Sequence, residues 1–299
     1  PAASFSRRYP LDAHAAIRSM LSVPGIRERF VDKAEHVPAD ALLFDLEDSV
    51  ADRDKAAARA LVARRLPGFP KHGRLLYVRP NGLDTGLLEQ DLDAVVGPAL
   101  DGVHLPKVHD PEVLRAADHY LTFLERVRGL APGRIRIIAW IESAEGLTRV
   151  EEICRAVPRL AAVSLGAEDY TASMGIQRTR EARELEYPRA RLAAAAAAAG
   201  IGAMDGPESD YRDAALFTAQ ARHARSLGFR GKYCIHPDQV TLANREFAPQ
   251  PAEVERARRV VEAYQAGERA GLGAVGLDGA MVDRPVYLRA AALLERAAG

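Results

Sequence analysis

The sequence predicts a (β/α)8 TIM barrel followed by a C-terminal helical extension or lid. Short apolar runs rich in β-forming residues recur along the chain, and segments with helical polar–apolar period lie between most of them. Parallel strands need a helical crossover each time, so one continuous series of eight βα units favours a closed barrel. The runs are Ser19–Val23, Ala41–Leu46, Arg74–Val78, Gly102–Pro106, Ile135–Ile141, Leu160–Leu165, Gly200–Met204 and Gly231–Ile235.

Three of the intervening segments carry clear helix signals. The segment from Asp52 to Leu66 places small apolar residues among charges at helical spacing. A second helix is expected from Asp110 to Val127, with Asp110 as N-cap and a proline at the first helical position. A third is expected from Arg180 to Ala199, where seven alanines precede a glycine stop.

An open doubly wound sheet is the alternative architecture. No Gly-x-Gly-x-x-Gly turn and no Gly-x-x-x-x-Gly-Lys loop follows any predicted strand. The pair Gly200 and Gly202 lies at the start of a strand, where it would not serve a phosphate. The barrel is therefore the preferred prediction.

The domain organisation follows from a break near the end of the chain. Pro249 and Pro251 interrupt it, so residues 1–248 are assigned to a TIM-barrel catalytic domain and residues 249–299 to a helical lid or arm. In the arm we expect a helix from Ala252 to Ala270, a glycine-rich connection, and a helix from Pro285 to Ala298. The arm is too small for an independent domain.

Composition narrows the possible partners and compartment. Of the 299 residues, 41 are Lys or Arg and 41 are Asp or Glu, so nucleic-acid binding by bulk charge is not expected. Two distant cysteines predict neither a disulfide framework nor a cysteine zinc site. No apolar run is long enough to span a membrane, and we expect no membrane partner.

The first residues of the sequence predict no secretory signal. They contain no apolar block and include the charged residues Arg7, Arg8, Asp12 and Arg18. A cytoplasmic location is expected, although a mitochondrial matrix protein without its transit peptide would look the same.

Polar residues collect where the predicted strands end. In a barrel, catalytic groups lie at the carboxyl ends of the strands, and the charges here begin there rather than within the strands. They are Asp45, Glu47, Asp48, Arg79, Asn81, Lys107, Glu142, Glu168, Asp169, Asp205 and His236.

This set contains many carboxylates and few imidazoles, which suits Mg²⁺ or Mn²⁺ better than zinc. Mg²⁺ uses one or two protein carboxylates and leaves its other positions to water and substrate. Such a cation can polarise a carbonyl and hold a 2-oxo acid. Arg79 would supply a fixed positive charge for a developing enolate or carboxylate.

Most of these residues also have a structural alternative, and Arg79-Pro80 could be a turn. The acids after the second strand could be helix-cap and loop charges, Glu142 a strand-end ion pair, and Asp169 an N-cap. Lys107 is more simply interpreted as a solvated loop charge and Asp205 as part of a turn. His236 is more often a loop residue than a catalyst, and Trp140 is expected in the core.

Eight collinear motifs resemble the citrate lyase beta subunit and malyl-CoA lyase family, the HpcH/HpaI aldolase superfamily. They span nearly the whole chain, and eight in order are specific for the family although not for its substrate. The motifs begin at Val23-Pro24-Gly25, Asp45-Leu46-Glu47-Asp48, Arg79 with Asn81-Gly82, Leu105-Pro106-Lys107, Ile141-Glu142-Ser143, Ser164-Leu165-Gly166, Asp205-Gly206-Pro207 and Gly231-Lys232.

The resemblance implies a TIM barrel that acts on coenzyme A thioesters with Mg²⁺. It implies roles for individual residues that the residues alone do not establish. The implied roles are metal ligation for Glu142 and Asp169, and substrate binding and catalysis for Arg79. Asp45 and Glu47 are implied to lie next to the metal-bound waters without ligating the metal. The remaining implied roles are coenzyme A contacts for Arg27, Lys33, Ile235 and His236, and 2-oxo acid binding near Ala167 and Glu168.

The tail bears on the branch of the family. Family members with malyl-CoA or citramalyl-CoA lyase activity have a C-terminal Met/Leu-Val/Ile-Asp that reaches the next subunit's active site. Met281-Val282-Asp283 matches this pattern, which implies Asp283 as an acid/base donated in trans within a homotrimer or hexamer. The stretch after Met174 lacks the insertion of malyl-CoA lyase and is closer to shorter citrate-lyase-like members.

We therefore expect a lyase that cleaves or forms a 3-hydroxyacyl-CoA, such as malyl-CoA or citramalyl-CoA. The products of cleavage would be acetyl-CoA and a 2-oxo acid, either glyoxylate or pyruvate. A citryl thioester lyase, a malate-synthase-like or thioesterase variant, and a non-catalytic coenzyme A-binding subunit are the alternatives.

Overall fold

The computed structural model describes His14 and residues 17–298. Arg7, Arg8 and Asp12, on which the expectation about a secretory signal depends, lie outside the described residues. In the part of the chain that is described, no helix is long and apolar enough to cross a membrane.

The eight predicted strands form one closed parallel barrel. Each strand pairs with the next, and the last pairs with the first in parallel. The predicted barrel is confirmed and the open sheet is wrong. The strands are β1 (Ser19–Pro24), β2 (Ala41–Asp45), β3 (Leu75–Arg79), β4 (Gly102–Leu105), β5 (Arg136–Ile141), β6 (Leu160–Leu165), β7 (Gly202–Asp205) and β8 (Gly231–Cys234).

Helices follow the strands and cover the outside of the barrel. They are α1 (Glu28–Ala34), α2 (Lys55–Arg65), α3 (Leu88–Val95), α4 (Pro111–Val127), α5 (Ala144–Thr148), α6 (Val150–Ile153), α7 (Ala167–Ser173), α8 (Glu186–Ala199), α9 (Ala214–Leu227) and α10 (Pro237–Phe247).

The predicted caps of α4 are confirmed, whereas the predicted start of α8 is wrong. Asp110 accepts hydrogen bonds from the N–H groups of Glu112 and Val113 at the start of α4. The helix expected from Arg180 begins six residues later, because Ala182 adopts a left-handed conformation with φ 52°. The carboxylate of Glu184 also accepts hydrogen bonds from the backbone and side chain of Thr179, which folds this stretch into a turn.

Alternating residues of each strand face two different apolar layers. In β5, Ile138 and Trp140 belong to the interior of the barrel, whereas Ile137 and Ile141 pack toward the helices. Trp140 is a core residue, as expected. The same alternation decides where a charged residue just beyond a strand points.

Residues 248–298 form a separate compact unit, which is described here by itself. It contains α11 (Pro251–Arg269), β9 (Val275–Leu277), β10 (Ala280–Val282) and α12 (Arg284–Ala298). Val260, Tyr264 and Val282 form its apolar core. The rings of Tyr264 and Tyr287 stack with centroids 4.7 Å apart.

The glycine-rich connection expected in this unit contains a β-hairpin. β9 and β10 are antiparallel, and Leu277 pairs with Ala280 across a two-residue turn. Asp278 and Gly279 have φ values of 51° and 76°, as a tight hairpin of this kind requires. The Asp-Gly pair was the available sequence signal for the hairpin.

Candidate active site

Three strands bring charged side chains to the carboxyl end of the barrel interior. Asp45 and Arg79 are direct partners in the register of β2 and β3. Each lies two residues beyond an interior residue, Leu43 and Tyr77 respectively. Glu142 has the same relation to Trp140 of β5. The alternation of the strands therefore points all three toward the mouth of the barrel.

Arg79 forms a dense ion-pair group with three acids. Its Nε and Nη2 donate to the two oxygens of Asp45 at 2.6 and 2.7 Å. Its Nη1 lies 3.1 Å from Glu47 Oε2 and 3.3 Å from Asp48 Oδ2. Burial alone would lower the pKa of Arg79, but these carboxylates outweigh it and raise that pKa further above its usual value. The guanidinium is permanently charged and held in one orientation.

Asp45 organises the loop that carries Glu47. Its oxygens accept hydrogen bonds from the N–H of Glu47 at 2.9 Å and of Ser49 at 3.1 Å. The ammonium of Lys55 donates to the carbonyl of Glu47 at 2.8 Å. Burial raises the pKa of Asp45, but Arg79 and these donors overcome that effect and lower it. Asp45 is therefore an ionised anchor for both Arg79 and the loop.

The environment of Glu142 disfavours the ionised form of its carboxyl group. Glu142 is only 6% exposed, and one oxygen accepts a hydrogen bond from the N–H of Lys107 at 2.8 Å. Burial raises its pKa to about 8, and the charges of Asp169 and Glu47 act in the same direction. A nearby cation is the natural partner for such a group.

The absence of a side chain at Gly166 lets Glu142 occupy its position. A Cβ at this glycine would lie 2.4 Å from Glu142 Cγ and 2.5 Å from its Oε1. Gly166 directly follows β6 and precedes α7, so the two neighbouring strands β5 and β6 converge here. This close approach is the reason for a glycine at the end of the strand.

Lys107 is an exposed loop residue, as its interpretation as a solvated loop charge expects, but it also belongs to the same cluster. Its Nζ lies 2.8 Å from Glu47 Oε1. This ion pair raises the pKa of Lys107 despite partial burial. Its backbone is left-handed, with φ 52°. Sequence does not reveal this conformation, because the residue is not a glycine or an asparagine.

The start of α7 carries three of the predicted site residues. Ala167 and Glu168 open this helix, and their N–H groups have no carbonyl partner within it. Asp169 is exposed in the first turn, and the N-cap position is taken by Gly166. The alternative role of Asp169 as an N-cap is therefore wrong. The Glu168 side chain pairs with Arg178 at 2.8 Å.

Two basic residues implied as coenzyme A contacts lie at opposite ends of α1. Arg27 is at the N-cap position and Lys33 in the last turn, and both are exposed. Neither side chain has an ion pair within residues 17–298. They follow β1 and remain available to an anion.

The other implied contacts follow β8. The N–H of Ile235 donates to Gln239 Oε1 at 2.8 Å, and Ile235 is 42% exposed. The ring of His236 stacks on Tyr211, with centroids 4.9 Å apart. Because Gln239 occupies the N–H of Ile235, the side chain and carbonyl of that residue are the parts left for a ligand.

Asp205 is not the turn residue that its neighbours suggested. It is 1% exposed and ends β7 on the outer side of the barrel. Its carboxylate binds Arg189 at 2.9 Å and Lys232 at 2.5 Å. Burial raises the pKa of Asp205, but these two cations overcome that and lower it. Asp205 thus ties β7 to β8 and α8 rather than lying in the mouth.

Asp283 lies between β10 and α12 in the C-terminal unit. Its Oδ1 accepts a hydrogen bond from the N–H of Val286 at 3.2 Å, as a helix cap does. The side chain is partly exposed, and Met281 beside it is 68% exposed.

The mouth can offer a metal ion few protein ligands. No group of three or more His, Cys, Asp or Glu side chains arranged to hold an ion is found in the described part of the chain. A cation at Glu142 and Asp169 would keep most of its coordination positions for water and substrate. This donor set of two carboxylates fits Mg²⁺.

Comparison with known proteins agrees with the barrel. The family model of HpcH/HpaI aldolase/citrate lyase matches residues 18–237. The chain belongs to the HpcH/HpaI aldolase/citrate lyase family. It is therefore an enzyme of the carbon–carbon lyase class.

Individual relatives cover almost the whole chain. The citrate lyase subunit beta of Escherichia coli strain K12 is 43% identical over 280 residues, which is 94% of this chain and 93% of that protein. The L-malyl-CoA/beta-methylmalyl-CoA lyase of Cereibacter sphaeroides strain ATCC 17029 is 38% identical, over 89% of this chain and 90% of that protein. Among solved structures, CitE of Mycobacterium tuberculosis in complex with magnesium, acetoacetate and coenzyme A has a TM-score of 0.76 and 30% identity. The alignment covers 96% of this chain and 100% of the CitE chain.

Proposed function

We propose that the protein is a Mg²⁺-dependent lyase that cleaves or forms a 3-hydroxyacyl-CoA. The products of cleavage would be acetyl-CoA and a 2-oxo acid, with malyl-CoA or citramalyl-CoA as the substrate and glyoxylate or pyruvate as the oxo acid. The observation that carries this proposal is the buried carboxyl of Glu142 in the mouth that also holds Arg79, where the charge of Asp169 helps to raise the pKa of Glu142.

The residues present fit a divalent cation. Glu142 is buried with a pKa near 8, so a cation would relieve the cost of its negative charge. Asp169 supplies a second, exposed carboxylate. When bound, Mg²⁺ would polarise the oxo group of the 2-oxo acid and favour loss of the substrate's hydroxyl proton to solvent water.

The protein's own groups would bind the reacting parts. The free N–H groups of Ala167 and Glu168 would bind the carboxylate of the oxo acid. Arg79, fixed by Asp45, would face the thioester oxygen, where negative charge develops as the carbon–carbon bond breaks. Arg27 and Lys33 offer exposed positive charge to the phosphates of coenzyme A.

We further propose that Asp283 of a neighbouring subunit gives a proton to the acetyl carbon during cleavage and removes it during condensation. This role requires a homotrimer, a hexamer or another oligomer. The exposed Met281 and the partly exposed Asp283 are compatible with such an approach.

A citryl thioester is the second candidate substrate. The 43% identity with a citrate lyase subunit beta over 94% of the chain favours it. Citryl and citramalyl thioesters share the 3-hydroxy-3-carboxy group that the cation would contact and the thioester oxygen that Arg79 would face, so the same residues would act on either.

The test is a screen of purified protein with malyl-, methylmalyl-, citramalyl- and citryl-CoA in the presence of Mg²⁺. Release of the 2-oxo acid is followed as its phenylhydrazone, and free coenzyme A is measured beside acetyl-CoA to detect thioester hydrolysis. We expect one substrate to be cleaved, with activity lost on chelation by EDTA. Substitution of residues that hydrogen-bond to metal ligands typically costs roughly 10–100-fold in activity. Because Glu142 and Asp169 would be ligands themselves, Glu142→Gln and Asp169→Asn should each lower the activity by more than that.

Glu152→Gln is the matched control, because Glu152 is an exposed acid on α6 that pairs with Arg149 at 3.5 Å. Its activity should equal that of the wild type. Metal-independent turnover, or full activity in Glu142→Gln, would rule out the proposed chemistry. A protein with no activity on any of the four thioesters would instead favour a non-catalytic coenzyme A-binding subunit.

A further inference from the structure

Lys107 connects two carboxylates that come from different strands. It follows β4, and its left-handed backbone, with φ 52°, directs its N–H to Glu142 Oε2 at 2.8 Å. Its ammonium reaches Glu47 Oε1 at 2.8 Å and lies 3.9 Å from Asp48 Oδ1. A left-handed conformation is unfavourable for lysine and persists only where its surroundings hold it.

Glu47 depends on Lys107 for one of its two oxygens. Its side chain is only 5% exposed, and Arg79 contacts Oε2 at 3.1 Å. Oε1 is fully buried and has no hydrogen bond of good geometry; the ammonium of Lys107 is its ion-pair partner. A buried carboxylate that loses its cation must take up a proton or find another cation.

A divalent cation beside Glu142 would be such a partner. Lys107 contacts both carboxylates, because its N–H lies 2.8 Å from Glu142 Oε2 and its ammonium 2.8 Å from Glu47 Oε1. A third carboxylate would bind the cation more tightly, and it would also fill a position that substrate needs.

We propose that Lys107 is a positioning residue that keeps Glu47 from ligating the divalent cation. Glu142 and Asp169 then remain the only protein carboxylates on the cation, and its other positions stay open for water and substrate. This inference rests on the proposed function, because it concerns the same cation.

The inference is tested on the full-length protein without substrate, with Mn²⁺ as the probe. Electron paramagnetic resonance titration gives the affinity, and water proton relaxation gives the number of bound waters. Lys107→Met should bind Mn²⁺ on the order of five- to tenfold more tightly, with fewer waters. Its turnover number should fall at least about tenfold, because substrate finds fewer open positions.

A second substitution separates the action through Glu47 from a simple change of charge. In Glu47→Gln/Lys107→Met the neutral amide is a poor ligand, so the gain in Mn²⁺ affinity should be lost and binding should be no tighter than in the wild type. Lys107→Arg keeps a cation beside Glu47 and should remain close to the wild type in affinity.

Lys71→Met is the matched control. Lys71 also pairs with an acid, Asp101 at 2.6 Å, but it lies before β3 at the opposite end of the barrel. It should change neither affinity nor turnover.

Unchanged or weaker Mn²⁺ binding in Lys107→Met would overturn the inference, and so would a double variant as tight as the single one. If Lys107→Met does not fold, as judged by circular dichroism, Lys107→Gly replaces it with the same expectations, because glycine suits the left-handed backbone. Failure of the proposed function is distinguishable, since a wild type that neither binds Mn²⁺ nor cleaves any thioester would end both proposals. A wild type that does both, with Lys107→Met indistinguishable from it, would end this one alone.

Discussion

At the residue scale, the contact between Gly166 and Glu142 sets the position of the carboxylate on which the proposed chemistry depends. Two hydrogen atoms on the glycine Cα leave room that no other residue leaves. Alternation along the strands could have predicted the inward direction of Asp45, Arg79 and Glu142. The backbone conformation of Lys107 could not have been predicted, because its φ of 52° is uncommon for a residue that is neither glycine nor asparagine.

Gly166→Ala tests this contact. The added methyl would lie 2.5 Å from Glu142 Oε1, so the carboxylate must move away from its present place. We expect Mn²⁺ affinity to fall on the order of 10–100-fold, with a loss of roughly 1–3 kcal/mol in the free energy of unfolding from overpacking. Mn²⁺ titration and urea unfolding measure these two quantities. Gly97→Ala is the control, because a Cβ at Gly97 meets nothing within 4 Å. Wild-type affinity in Gly166→Ala would show that the position of Glu142 does not matter.

At the element scale, a buried group of charges joins the last strands of the barrel to their helices. Asp205 of β7 binds Lys232 of β8 and Arg189 of α8, and Lys232 also donates to the carbonyl of Gly206 at 2.7 Å. The strands themselves were predictable, since each is a short apolar run. The ion pairs were not, because the sequence does not show which charged residue of α8 faces the sheet.

Asp205→Asn tests how far this group stabilises the fold. It leaves Arg189 and Lys232 buried without a counter-charge, and we expect a loss of about 3–5 kcal/mol in the free energy of unfolding at pH 7. The exposed pair of Asp32 and Arg65, at 2.6 Å, provides the control, and Asp32→Asn should cost about 1 kcal/mol or less. Urea unfolding monitored by circular dichroism gives both values. A cost for Asp205→Asn no larger than for the control would mean that the buried pairs contribute nothing net.

The pKa of Asp205 predicts how this difference changes with pH. Its pKa is lower in the folded state than the usual value of about 3.9 in an unfolded chain. The contribution to stability is therefore complete above about pH 4 and is lost as the pH falls through the folded value. The wild type should accordingly approach Asp205→Asn in stability on acidification below about pH 4, whereas a difference that grows there would contradict the lowered pKa.

At the scale of the whole molecule, the proposed reaction needs groups from two parts of the chain. The mouth of the barrel supplies carboxylates and Arg79, and the C-terminal unit supplies Asp283 for the acetyl carbon. In the hairpin before Asp283, successive side chains of β10 point to opposite faces, so Val282 is buried while Met281 is exposed. Whether Asp283 acts within its own subunit or on a neighbour is a property of the assembly.

Mixing two inactive variants tests the action of Asp283 between subunits. Glu142→Gln disables the barrel and keeps Asp283, whereas Asp283→Asn disables the tail, keeps the barrel, and retains a side chain that can cap α12. If each barrel receives Asp283 from one neighbour in a closed ring, random equal mixing by co-expression should make about one quarter of all sites complete. Activity should therefore recover to about one quarter of the wild-type value, measured as 2-oxo acid release.

The control is Glu142→Gln mixed with Asp169→Asn. Both variants disable the barrel, so this mixture should stay inactive. No recovery in the first mixture would confine Asp283 to its own subunit, and full activity of Asp283→Asn alone would remove it from the reaction.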